Sequence, residues 1–291
     1  MAPDRRPAGA LGGTVLELGR HRFDLDGRCL VMGIVNRTPD SFYDKGTYFA
    51  LKDGLRLAEA HVTAGADLLD VGGVKAGPGP EVSVAEELDR VVPAVEALAS
   101  RFDVPISVDT WRAEVAEACF AAGAVLGNDI SGFADPRYLE VAAAAGASVV
   151  ATHIRLAPRI PDPDPTYPGG DVVTAVETFL AGKLAEAGAA GIPPTRVTLD
   201  AGLDLGKTAV QSVALLRASD RLARLGAPLL LSASNKTFLG VLLGLELTER
   251  REASLAAAAF GAALGVRVVR VHDVAGTRRV VDAVCAVAGA R

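Results

Sequence analysis

The alternation of short apolar runs with helix-period segments constrains this chain more than any other feature in it. The first run, Cys29 to Val35, ends abruptly in Asn36-Arg37-Thr38-Pro39. A short apolar run bounded in this way reads as a strand buried on both faces, as in a parallel sheet. Pro39 has no backbone donor, so the strand is over by that point. The same grammar recurs down the chain. Strands are expected at Leu30–Val35, Asp67–Val71, Pro105–Val108, Ala124–Gly127, Ser148–Ala151, Arg196–Leu199, Pro228–Leu231 and Arg267–Val271. Helix-period segments lie between and after them: Lys52–Thr63, Val84–Ala99, Arg112–Ala122, Pro136–Ala145, Val172–Ala189, Val210–Arg224, Lys236–Leu264 with a break at Gly244, and Ala275–Ala288. The pairs Ala64-Gly65, Ala122-Gly123 and Ala145-Gly146 fit helix C-terminal caps that lead into the next strand.

Eight βα units without an antiparallel interruption point to the α/β class and a TIM (β/α)8 barrel. A doubly wound sheet is the alternative. It calls for a dinucleotide fingerprint, and no GxGxxG follows the first strand. The 291 residues would permit two domains by length, but barrels of this size are routinely single. Residues 1–13, rich in Arg, Pro, Gly and Ala, read as a disordered N-terminal tail. Thr14 to Asp26 alternates weakly around Gly19-Arg20 and reads as a short hairpin or plug. The barrel domain is therefore taken as residues 14–291.

Several function classes lose support. The net charge is -5 and there is no basic run, which argues against nucleic acid or a membrane surface as partner. Cys29, Cys119 and Cys285 are far apart and form no CxxC, so neither a disulfide framework nor a cysteine zinc site is expected. The N-terminus lacks a long apolar core and no run is long enough to span a bilayer, so a cytoplasmic, reducing location is expected. No G-x-S-x-G elbow and no HExxH is present, which removes hydrolysis by those routes.

Polar residues sit where the strands end: Asn36, Asp70, Asp109, Asn128, His153, Asp200, Ser234 and Lys236, Arg270 and His272. Any one of them is explained by local structure; Asp109 before Thr110, for instance, would cap the next helix. A barrel brings them all to one rim, and the set is harder to dismiss. Asp109, Asn128 and Asp200 supply acceptors and an amide, while Lys236, Arg270 and His272 supply donors and positive charge. Such a mouth suits a ligand with a heterocyclic aminopyrimidinone head and an anionic tail, the tail matched by Arg in fork geometry and by His. Two connections are unusual. Gly72 to Val82 is rich in Gly and Pro, and Ile154 to Gly170 carries five prolines. Each is either a lid or binding segment, or a solvated loop.

At this point the motifs carry a resemblance. Met32-Gly33-Ile34-Val35-Asn36-Arg37-Thr38-Pro39-Asp40-Ser41-Phe42 resembles the opening motif of the dihydropteroate synthase family. So do Asp70-Val71-Gly72-Gly73, Ser107-Val108-Asp109-Thr110, Asn128-Asp129-Ile130-Ser131-Gly132, Ser234-Asn235-Lys236 and Arg270-Val271-His272-Asp273. The likeness implies a TIM barrel, a homodimer through C-terminal helices, and the joining of p-aminobenzoate to 6-hydroxymethyl-7,8-dihydropterin pyrophosphate with release of pyrophosphate, in folate synthesis. It implies that Asp109, Asn128, Asp200 and Lys236 hold the pterin. Asn36 would bind Mg²⁺, with Ser234, Arg270 and His272 on the pyrophosphate side; Lys236, Arg270 and His272 are the residues assigned to catalysis. No strong base is needed, because an arylamine is already nucleophilic.

The departures fall on the acceptor side. Where the family has Glu-Ser-Thr-Arg-Pro, this chain has Val74-Lys75-Ala76-Gly77-Pro78. Contacts of the lost arginine's kind are worth roughly 1.5–3 kcal/mol each, and Lys75 offers a flexible point charge in place of a fork. Ser-Arg-Lys has become Ser234-Asn235-Lys236, Asp-Pro-Gly has become Asp200-Ala201-Gly202, and Gly-Phe has become Asp204-Leu205. The loop after His153 is expanded. This pattern is similar to that of the second, synthase-like paralogue of actinobacteria. Two readings stay open: a synthase-type transferase with a modified acceptor loop, and a pterin-binding paralogue without that activity. A third, a pterin-dependent methyltransferase domain, is disfavoured by the opening motif, because a methyl carrier needs no pyrophosphate site.

Overall fold

A computed structural model describes residues 15–36, 47–77 and 79–289. The tail expected over 1–13 and the motif residues Arg37 to Phe42 lie outside the described residues. Strands β1 (Val15–Leu18) and β2 (His21–Asp24) pair antiparallel through the Gly19-Arg20 turn. Gly19 has φ +57, and a Cβ there would stand 2.7 Å from Val125 Cγ1, so the turn admits no side chain.

Eight parallel strands follow: β3 (Leu30–Asn36), β4 (Leu68–Gly72), β5 (Ile106–Asp109), β6 (Leu126–Asp129), β7 (Ser148–Thr152), β8 (Val197–Asp200), β9 (Leu229–Leu231) and β10 (Val266–Val271). They close in the order β10-β3-β4-β5-β6-β7-β8-β9. The helices are α1 (Thr47–Thr63), α2 (Val84–Arg101), α3 (Ala113–Ala121), α4 (Tyr138–Ala144), α5 (Val172–Ala189), α6 (Ala209–Arg217), α7 (Ser219–Leu222), α8 (Thr237–Leu243), α9 (Arg251–Ala263) and α10 (Val274–Gly289). The TIM barrel with its N-terminal hairpin is as the sequence implies.

The core has two parts, and the strand pleat sorts residues between them. Val31 and Val35 of β3 join the large layer between sheet and helices. Leu30 and Met32 join a smaller cluster inside the barrel, where Leu16, Leu18 and Leu25 of the hairpin segment meet Leu68, Leu126, Val150, Leu230 and Val268. The hairpin thus plugs the barrel interior. The plug is fastened by Ser148 Oγ, which donates to the Glu17 carbonyl.

Several boundaries differ from the sequence reading. Five strands run on into their polar end residues (Asn36, Asp109, Asp129, Thr152 and Asp200), because backbone pairing outlasts the apolar run. Helix α1 starts at Thr47, ahead of Lys52. The segment expected as one helix over Val210–Arg224 divides at Ala218, where Ser219 Oγ turns back to the Leu216 carbonyl at 2.8 Å. The break at Gly244 occurs as expected; it caps α8 at φ +66.

Candidate active site

Barrel register sets the site. Asn36 pairs with Gly72, Gly72 with Asp109, and Asp109 with Asn128, so these strand ends share one row across β3 to β6. Asn36 is thereby placed on the rim through its backbone; its side chain lies outside the described residues.

Asp70 is the hub. Its carboxylate is fully buried and accepts from Ser107 Oγ at 2.6 Å, Asn128 Nδ2 at 3.2 Å and Arg270 Nε at 2.6 Å. Arg270 reaches from β10 and gives a second bond, from its NH2, to Asp109 Oδ2 at 2.7 Å. Burial opposes the guanidinium charge, yet Asp70 and Asp109 hold Arg270 above its ordinary pKa. Burial likewise raises Asp109, and Arg270 pulls it back. These two bonds use part of the five-donor fork and leave the rest for a ligand. Asp109 does not cap α3; Asp135 does that, accepting from Ala113 N at 3.0 Å.

Asp200 and Lys236 form the opposite side. Asp200 is buried and accepts from Gly202 N at 2.8 Å; burial raises its pKa, against the charges of Lys236 and Lys207. Gly202 is obligatory, since φ is +65 and a Cβ would lie 1.9 Å from the His153 carbonyl oxygen. Lys236 Nζ donates to the Leu203 carbonyl at 2.7 Å, and burial lowers its pKa. Asp204, at the position of a family glycine, adopts φ 66 and accepts from Phe238 N at 3.2 Å, at the start of α8. It thus ties the β8 turn to the segment carrying Lys236.

Ser234 and His272 close the rim between β9 and β10, Ser234 Oγ lying 2.9 Å from His272 Nδ1. Desolvation, then the charges of Arg270 and His61, push His272 down to about 4, although the residue as a whole is exposed. A cavity of about 320 Å³ adjoins this pair and includes Asn235, Arg251 and Thr277. Lys75 is exposed on the loop after β4.

Sequence reasoning placed His153 on the rim, but its ring turns into the helix layer. It meets Phe179 edge-on at 4.8 Å and faces Lys207 Nζ at 2.9 Å. Lys207 was not anticipated. It is buried, gives its remaining bonds to the His153 and Leu205 carbonyls, and is lowered to about 7 by burial. The only sequence signal was a lysine shortly after a strand end. The supporting role of Asp70 was also missed, although its position had been marked. The proline-rich loop resolves into a packed wall. Tyr167 Oη donates to the Gly206 carbonyl at 2.7 Å, Gln211 Nε2 to the Pro165 carbonyl at 3.1 Å, and Arg159 N to the Ala76 carbonyl at 3.1 Å.

The geometry is a barrel mouth with two buried carboxylates, an amide, a half-buried lysine and a partly committed arginine. Comparison with known proteins gives this arrangement its family. The model of the pterin binding enzyme family matches residues 32–272. The chain belongs to the dihydropteroate synthase family of pterin-binding enzymes. It is 47% identical over 270 residues to a Mycobacterium leprae protein named inactive dihydropteroate synthase 2, covering 91% of this chain and 92% of that one. It is 41% identical over 257 residues to the Escherichia coli dihydropteroate synthase, covering 87% of this chain and 90% of that one. The solved Yersinia pestis dihydropteroate synthase with a sulfonamide drug complex superposes with a TM-score of 0.88 at 39% identity, covering 94% of this chain and 99% of that one. Similarity to a synthase and to a relative named inactive puts the weight on the acceptor loop, where this chain departs from the family motif.

Proposed function

We propose that this protein is a dihydropteroate synthase-type transferase, acting on 6-hydroxymethyl-7,8-dihydropterin pyrophosphate. The observation that carries the reading is the convergence of Asp109, Asn128, Asp200, Lys236 and Arg270 on one barrel mouth. In this reading Asp200, Asp109 and Asn128 pair with the amino and ring N–H groups of the pterin, and Lys236 donates to its carbonyl side. Arg270, His272 and Ser234 face the pyrophosphate. The methylene C–O bond breaks, pyrophosphate carries away the electron pair, an amine nitrogen bonds to the methylene, and that nitrogen loses one proton. Arg270 meets the charge that grows on the leaving group, the kind of interaction that lowers a barrier most. The buried carboxylates beside it stabilise the electron-poor pterin methylene.

Mg²⁺ belongs to the same reading. Asn36 is a hard oxygen donor at a strand end, and Mg²⁺ takes few protein ligands when substrate phosphates supply the others. The ion would neutralise part of the pyrophosphate charge. A homodimer is supported by exposed apolar side chains on and after α8 and on α9: Leu242 46%, Leu243 59%, Leu247 60% and Phe260 46%. A cytoplasmic site is proposed from the same family likeness; among the described residues no helix is long and apolar enough to cross a membrane.

A second reading has its own support. Ala76 and Gly77 stand where the family has threonine and arginine, and the similar Mycobacterium leprae protein is named inactive. A pterin-binding paralogue without synthase activity fits both facts. Pyrophosphate release by the purified protein separates the two. Supplied with dihydropterin pyrophosphate, Mg²⁺ and p-aminobenzoate, a synthase releases pyrophosphate only when p-aminobenzoate is present. Release no greater than in the p-aminobenzoate-free control overturns the transferase reading and favours the paralogue.

A further inference from the structure

The proline-rich loop does more than cover the rim. With the loops after β4 and β8 it borders an open cavity of about 180 Å³. Ala76 and Gly77 form one side, Leu156 and Ile160 another, and Leu205 and Lys207 a third. A dry cavity of about 150 Å³ in another protein is large enough for benzene, so this one has room for a single ring.

Two cations line it, and they differ. Lys207 has committed three bonds, to His153 Nδ1 at 2.9 Å, the His153 carbonyl at 3.1 Å and the Leu205 carbonyl at 3.0 Å. An ammonium has three protons, so nothing remains for a ligand. Arg159 is placed otherwise. Its backbone N–H donates to the Ala76 carbonyl, and its guanidinium reaches the carbonyls of Lys75 and Pro80 at the exposed edge of the cavity. Two contacts leave donors of the five-proton fork unspent. Arg159 also holds φ 69, a conformation that a residue with a long side chain rarely adopts, so the surrounding loop packing imposes its position. That packing includes the pairing of Arg155 with Asp162, which lies against Gly206; a Cβ there would stand 2.8 Å from Asp162 Oδ2.

The acidic groups on the lining are engaged. Asp162 is paired with Arg155, and Asp204 accepts from Phe238 N. What the cavity offers is therefore a mixed lining with aliphatic side chains among its polar ones, space for one ring and an arginine fork at its edge. We propose that Arg159 makes this cavity a subsite for a one-ring carboxylate, recognised by a guanidinium brought from the proline-rich loop onto the bare Ala76–Gly77 loop. The inference rests on the proposed function in that the ring would be the amine-bearing acceptor beside the pterin.

The test is calorimetric titration of p-aminobenzoate and of aniline, each with and without saturating 6-hydroxymethylpterin monophosphate. The variants are Arg159→Asn, which tolerates the left-handed backbone and removes the charge, and Arg159→Lys, which keeps the charge without the fork. Binding of p-aminobenzoate should weaken at least about tenfold in Arg159→Asn and by less in Arg159→Lys, a tenfold change being 1.4 kcal/mol. Aniline and pterin monophosphate should bind all three proteins alike. Equal p-aminobenzoate affinity for wild type and Arg159→Asn, no p-aminobenzoate binding at all, or a parallel loss of aniline binding would each overturn the proposal. Failure of pterin monophosphate to bind wild type would remove the pterin reading instead. The titrations without pterin would then decide the subsite by the same Arg159 dependence.

Discussion

Arg270 Nε donates to Asp70 Oδ2 at 2.6 Å across 200 residues of chain, joining the last barrel strand to the second. The same guanidinium bonds Asp109, so one side chain spans the mouth. Asp70 therefore does two jobs. It balances a charge that the site needs, and it orients Asn128 through the 3.2 Å bond from Nδ2.

Asp70→Asn tests this hub. The substitution keeps the volume but leaves Arg270 with one carboxylate. Breaking a buried ion pair costs about 3–5 kcal/mol, and the retained Asp109 bond puts this case at about 3 kcal/mol. The urea midpoint should fall accordingly, and pterin monophosphate should bind more weakly. A midpoint unchanged from wild type would show that Asp70 is not the hub.

His153 makes stability depend on acid. Burial, then the facing Lys207 charge, push its imidazole down from 6.5 to about 3. Between those values the unfolded chain binds a proton at this site and the folded chain does not. Its contribution is therefore present above pH 6.5 and is lost as pH falls toward 3. His153→Gln keeps an acceptor for Lys207 and removes the titration. From pH 6.5 to 5, wild type should lose about 1.6 kcal/mol more stability than the variant, the slope rising toward 1.36 kcal/mol per unit as the unfolded imidazole becomes fully protonated. Equal losses in urea titrations at the two pH values would contradict the assignment.

The acceptor loop has room for what the family carries there. A Cβ on Gly77 meets nothing within 4 Å. Ala76→Thr with Gly77→Arg should therefore be accommodated and should raise pyrophosphate release with p-aminobenzoate at least about tenfold, the worth of one charge-assisted bond. A double variant that folds and releases no more than wild type would place the block elsewhere, with Asn235 the next residue to restore to arginine.

The fold was readable because β/α alternation is written locally, in runs a few residues long. The rim residues were readable for the same reason: each ends an apolar run. What escaped depends on distance. Asp70 gains its role only from Arg270, two hundred residues on. Lys207 looks like an ordinary exposed lysine until Tyr167 and the proline-rich loop fold over the β8 turn. His153 ends an apolar run as Asp200 does, yet Phe179 of α5 draws its ring out of the mouth. No periodicity in the sequence encodes that choice of side.

The most direct test of the retained pterin site is titration of 6-hydroxymethylpterin monophosphate into wild type and Asp200→Asn. Two charge-assisted bonds to Asp200 are each worth about 1.5–3 kcal/mol. The account predicts saturable binding to wild type and a loss of at least about 100-fold in the variant. Equal affinity in the two proteins, or no binding to wild type, would contradict it.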